Sequence, residues 1–284
     1  MLVVLADALT EAGDPRGELI AMQIAPQTPA IARKSAKLVK AHLPHLLGPL
    51  APVVRDVEFR RGFLARAKLA APAGKTVGDP LWATVEHLEG KPVTSVLVEH
   101  PVMKSLRSLG MTDLGIAKLA SYDWLEALMV HLFDHREVFE KSGNFPALRE
   151  LTVHMSYVHS CDYEIADLVK CSILERLSKL AIDVAIGTDM MGTHGLDEGD
   201  LESLPSWLER AAELRVPEVT LATAQGKVVT RYRFTPDGAT VTIPKFPKRD
   251  AAELRASVEP MIEIVRRLRS NVEVIEPVLP SAGA

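Results

Sequence analysis

Residues 148–155 read LRELTVHM, with aliphatic side chains at Leu148, Leu151 and Val153. The steps are three and then two, so neither the period of a surface helix nor that of a half-buried strand holds throughout. This mixed spacing predicts a corner that buries Leu148. A short strand then follows, sending Leu151 and Val153 inward and Thr152 and His154 outward. If the spacing recurs, the chain winds into an array.

It does recur. VTSVLVEH at 93, LRSLGMTD at 106, LEALMVHL at 125, LRELTVHM at 148, LSKLAIDV at 177 and VPEVTLAT at 216 carry aliphatic residues or Met at offsets 0, 3 and 5. The starts are 13, 19, 23, 29 and 39 residues apart. Helical patterns at Asp113–Ala120, His135–Ser142, Asp162–Arg176 and Glu198–Leu214 fill most of the intervals. Strand alternating with helix at intervals in the twenties is what a leucine-rich-repeat coil needs. The consensus Asn or Cys at offset 8 is replaced by Leu114, Phe133, Ser156 and Ala185, so no asparagine ladder forms and the array is expected to be irregular.

Both flanks differ from the array. VVLADALTEA and GELIAMQ read as a helical hairpin, with Gly13 as a stop and Asp14-Pro15 opening the second helix. AIARKSAKLVKAHL, residues 30–43, gives a third helix with a solvated basic face, which LPHLLGPLAP breaks. VRDVEF and FLARAKLAA flank Arg60-Arg61-Gly62 as a β-hairpin. After residue 216, VPEVTLAT, KVVTRYRF and ATVTI read as a β-meander, followed by a long helix and a last strand in VEVIEPV. The expected fold is α/β: an irregular leucine-rich-repeat-like solenoid with a parallel sheet, an N-terminal helical hairpin and a C-terminal β-meander/helix cap. The segments are 1–72, 73–223 and 224–284.

Leu5-Ala6-Asp7, Gly13-Asp14-Pro15-Arg16-Gly17-Glu18 and Arg60-Arg61-Gly62-Phe63 carry a resemblance. Through them the first 70 or so residues resemble the bacterial repeat-companion family, a short domain found beside leucine-rich-repeat-like arrays. Ala8 stands where that family usually carries an aromatic, and the helix that usually precedes the motif is absent, so an abbreviated N-terminal unit is expected. The resemblance implies a binding scaffold and no catalytic activity.

The 284 residues are 47% hydrophobic with a net charge of −4, enough to bury a core and far from the basic footprint of a nucleic-acid binder. The start MLVVLADALTEAGD has no basic region ahead of its apolar run, and no stretch approaches a membrane span. A cytoplasmic chain with no membrane or nucleic-acid partner is expected. Cys161 and Cys171, ten apart, suit reduced thiols.

Phosphate-loop, zinc-protease and nucleophile-elbow motifs are missing, and no cofactor is expected. His154, His159 and Cys161 are the best metal candidates by ligand type but lack a second pair, so no metal site is assigned. The strand register sends Leu97 and Glu99, Met129 and His131, Thr152 and His154, Ala181 and Asp183, and Thr220 and Ala222 outward as a strip. His131, His154 and Asp183 then stand in adjacent rows at one height. Met190-Met191, in the glycine-rich loop Gly187–Asp200, adds an adaptable apolar contact. The binding residues expected are Glu99, Met129, His131, Thr152, His154, Asp183, Met190 and Met191, engaging a protein partner without catalysis. The alternatives are an enzyme using His131, His154 and Asp183 as acid–base groups, and a nucleic-acid module in which Tyr232 and Phe234 alternate with Arg231 and Arg233. More simply, those aromatics pack the cap while the arginines snorkel.

Overall fold

The computed structural model describes residues 1–131, 139–141, 143–155, 168, 170–184, 198–225, 228–244 and 251–276. The fold is mixed α/β with mostly parallel strand pairing. It divides into two units, Met1–Leu119 and Ala120–Ala284, a boundary that falls inside the segment read as one array.

The first unit opens with α1 (Leu2–Glu11), α2 (Pro15–Ile24) and α3 (Pro29–Leu47). Asp14 caps α2 by accepting from the Arg16 backbone N–H at 2.9 Å, and Pro15 supplies the preset first turn. The Arg16 guanidinium donates to Asp14 at 3.1 Å and to the Leu46 carbonyl at 2.9 Å, tying α2 to the last turn of α3. Gly17 lets α1 and α2 meet, since a Cβ there would strike Thr10 and the Ala6 carbonyl. α3 continues through the segment expected to break it, kinking at His42 ahead of Pro44 and ending at Leu47.

The hairpin β1 (Val54–Arg60) and β2 (Phe63–Leu69) forms as expected. Arg61 and Gly62 both take positive φ in its turn, and Gln23 clamps that turn by accepting from Gly62 N–H and donating to the Phe59 carbonyl, both at 2.8 Å. The motif residues near the N-terminus thus hold two helices and a hairpin together.

Parallel strands β3 (His87–Glu89) and β4 (Ser108–Gly110) follow β2 in the first unit. β3 corrects one expectation. VTSVLVEH is no strand: Ser95–Val98 is a short helix, α4, with Val96 68% exposed where the register needed it inward and Leu97 fully buried where it needed it outward. Of the predicted helix Asp113–Ala120, only Ile116–Ala120, α5, is helical.

The second unit lays β5 (Ala127–His131), β6 (Glu150–Met155), β7 (Lys179–Val184) and β8 (Glu218–Gln225) side by side in parallel. β9 (Val228–Thr235) and β10 (Gly238–Thr242) complete an antiparallel meander, and β11 (Val272–Ile275) lies parallel to β10. Two long helices described in this unit are α6 (Glu198–Glu213) and α7 (Ala251–Leu268). Of the predicted helix Asp162–Arg176, Ser172–Arg176 is a 3-10 turn; most of the remainder and most of His135–Ser142 lie outside the described residues.

With β3 placed, the repeat becomes more regular. Its starts are Leu64, Val85, Leu106, Leu125, Leu148, Leu177 and Val216, at intervals of 21, 21, 19, 23, 29 and 39, so the anomalous step of 13 disappears. All seven starts are buried, and so are the residues three further on: Ala67, Leu88, Leu109, Leu128, Leu151, Leu180 and Val219. At five of the seven, Val85 to Leu177, the corner is built the same way. The N–H groups of Val85, Leu106, Leu125, Leu148 and Leu177 donate to the carbonyls of Trp82, Met103, Tyr122, Phe145 and Leu174. Each of those five acceptor residues is itself buried. One residue after the corner, the carbonyls of Glu86, Glu126 and Arg149 each accept two N–H groups from the following strand's start. β3 and β4 stop early because Gly90 and Met111 turn with positive φ at offset 5, where Val130, Val153, Ile182 and Leu221 continue inward in the second unit.

Candidate functional site

The outward face of β5–β9 carries two ordered rows. In one, the register aligns His131, His154, Asp183, Ala222 and Arg231; in the other, Met129, Thr152, Ala181, Thr220 and Arg233. Alternation decides this. Leu151, Val153, Leu180, Ile182 and Leu221 fill the opposite face and are buried, so residues between them must face the other way.

Within the first row, the His131 and His154 rings lie 5.8 Å apart at 57°. His154 Nε2 is 3.5 Å from Asp183 Oδ2, with side chains 13% and 21% exposed. Burial pushes the Asp183 carboxyl above its ordinary value, and the nearby His154 and Arg231 charges offset only part of that. Both His154 ring nitrogens are inaccessible to solvent. A general base must touch the proton it moves. This arrangement therefore presents no reachable imidazole nitrogen at His154.

Along the start of the strands runs an ion ladder. Glu218 receives Arg233 at 2.6 Å and Lys179 at 3.4 Å. Burial alone would raise the Glu218 carboxyl, but the Arg233 hydrogen bond and the Lys179 charge hold it below the usual range. Beneath the arginines, Tyr232 is buried with its phenol pushed upward by desolvation and hydrogen-bonded to Thr223. Phe234 is buried as well, so the alternating Arg-aromatic strand turns its rings into the core and leaves no stacking platform.

The structure therefore gathers Met129, His131, Thr152, His154 and Asp183 on one sheet face. Glu99 is not among them. It follows α4 as its C-cap and pairs with Lys118 Nζ at 2.5 Å, because the strand assigned to its segment is a helix. Met190, Met191, His159 and Cys161 lie outside the described residues, as does most of the Gly187–Asp200 loop, whose last residues begin α6. Arg231 and Arg233 were missed as members of the face. The signal was present: the two-residue link after Gln225 fixes Ala222 opposite Arg231 once the hairpin is recognised.

Among the described residues, no group of three or more His, Cys, Asp or Glu side chains is placed to hold a metal ion. Among them too, no helix is long and apolar enough to cross a membrane. Comparison with protein-family models, curated proteins and solved structures finds no match for this chain.

Proposed function

We propose that the chain is a non-catalytic protein-interaction scaffold whose recurring unit is an irregular leucine-rich-repeat-like solenoid coil. The sheet face of β5–β9 is its binding surface. One observation carries the reading: five successive repeat starts, Val85 to Leu177, reuse the same buried corner, and the outward residues of the neighbouring strands β5–β8 fall in register. A face built by repetition is extended and chemically varied, which suits recognition of a protein.

The enzymatic alternative is weaker, since it needs a His154 nitrogen that substrate can reach, and neither is accessible. The buried aromatics of β9 weigh against the nucleic-acid alternative in the same way. Kinship with repeat-companion domains is supported by the lock that Asp14, Arg16, Gly17 and Gln23 make. A cytoplasmic setting is supported by Cys171, a buried thiol outside any disulfide.

The test is affinity capture from native lysate with wild type, Thr152→Glu, Arg231→Glu and a chain lacking residues 187–197. Wild type is expected to recover a discrete protein that the face variants lose. Repeated recovery of no protein, or equal recovery by all the face variants, contradicts the proposal.

A further inference from the structure

Helix α3 departs from the charge pattern of its neighbours. Arg33, Lys34, Lys37 and Lys40 are all exposed, and the 19-residue helix contains no acid. At about 100° per residue the four fall within roughly a third of the helix circumference. Ile31, Leu38 and Val39, all half-buried, lie beyond that arc on the side where α3 packs on α2. Packing accounts for the apolar side and leaves the basic side unexplained.

None of the four cations makes a hydrogen bond or ion pair with a described residue. Their spacing also works against the helix. Lys34 with Lys37, Lys37 with Lys40, and Arg33 with Lys37 are like-charge neighbours three or four residues apart. α7 shows the opposite habit, pairing Arg255 with Glu259 and Arg266 with Glu263. In a chain of net charge −4, basic groups concentrated on one uncompensated face call for an external anion.

We infer that the basic face of α3 docks an acidic protein segment, a helix with carboxylates three to four residues apart. Charge complementarity fixes the sign of the partner. Spacing fixes its form: Arg33 to Lys40 covers roughly 10 Å along the axis, the interval over which an acidic helix presents three carboxylates. The helix holds no Phe, Tyr or Trp on which nucleic-acid bases could stack. Its apolar side packs on α2 instead of being available to a bilayer. This surface belongs to the first unit and does not depend on the reading of the β5–β9 face.

The test measures binding of the full chain to a glutamate-rich helical peptide, a single-stranded DNA of matched charge, and phosphatidylserine vesicles. Saturable, salt-weakened binding to the peptide is expected, falling by at least about tenfold in Lys37→Glu/Lys40→Glu. A smaller loss is expected in Lys37→Gln/Lys40→Gln, which introduces no new charge. The control Lys75→Glu/Lys104→Glu, changing exposed lysines elsewhere in the unit, should bind like wild type. Absent peptide binding, an equal loss in the control, or tighter binding to DNA or vesicles overturns the inference.

Discussion

His154 and Asp183 face each other across the β6–β7 pair, Nε2 to Oδ2 at 3.5 Å, in a register that also brings Arg231 toward the same carboxylate. Even between these groups the carboxyl loses more by burial than it gains from charge, and its pKa is raised. Between the unfolded and the folded pKa the native state therefore holds a proton that the unfolded chain has released. Stability from this group is full below the unfolded pKa, about 3.9, and is lost as pH rises through the folded value. Asp183→Asn cannot ionise, so it is expected to melt above wild type at neutral pH, with the gap closing below about pH 4. Thermal melts across that range check this; a wild type more stable at neutral pH would mean the His154 pair outweighs burial.

Asp14 has the opposite sign. Burial raises its carboxyl, but the Arg16 N–H and guanidinium and the nearby His45 together hold it below the usual range. Its contribution is present above the unfolded pKa and lost as pH falls through the folded one. Asp14→Ala is expected to cost about 0.5–2 kcal/mol at neutral pH by urea denaturation, the loss of an N-cap. The difference should shrink in acid. Asp14→Asn, which keeps the cap acceptor without the charge, should fall between.

Neighbouring residues on β6 should respond very differently. Leu151 is 1% exposed among the inward residues, and Leu151→Ala is expected to cost about 2–5 kcal/mol by opening a cavity. Thr152 faces outward, and Thr152→Ala should stay within about 0.5 kcal/mol. Equal losses in denaturant titrations would contradict the register.

Two glycines separate backbone strain from crowding. Gly13 has φ +74 with open space where a Cβ would stand, whereas Gly62 has φ +80 and Ile20 in that place. Gly13→Ala is expected to cost about 1–2 kcal/mol, the strain of a left-handed residue. Gly62→Ala should cost more, by about 1–3 kcal/mol of overpacking. Similar melting temperatures for the two variants would show that Ile20 yields freely.

The strands from β5 to β8 were legible because each starts with a buried aliphatic and places two more at offsets 3 and 5. β3 was not. It has Val85 and Leu88, then Gly90, whose positive φ beside the Leu69 carbonyl excludes the third aliphatic. Val93, Val96 and Val98 happened to complete the pattern eight residues later, and Glu99 was carried off the sheet with them. A second signal was the buried residue three before the five starts from Val85 to Leu177: Trp82, Met103, Tyr122, Phe145 and Leu174. Three of the five, Trp82, Tyr122 and Phe145, are aromatic, so a search for aliphatics passes over the shared corner carbonyl. On the face, Arg231 went unseen because its place depends on hairpin register, while His154 could be aligned but its burial could not be read from spacing.

The claim that the β5–β9 face binds a protein is tested most directly by site-specific photo-crosslinking in native lysate. A photoreactive residue replaces Met129, Thr152 or, as a control, Glu213 at the exposed end of α6. The account predicts the same discrete adduct from Met129 and Thr152 and none from Glu213. Adducts absent from both face positions, or identical from all three, would contradict it.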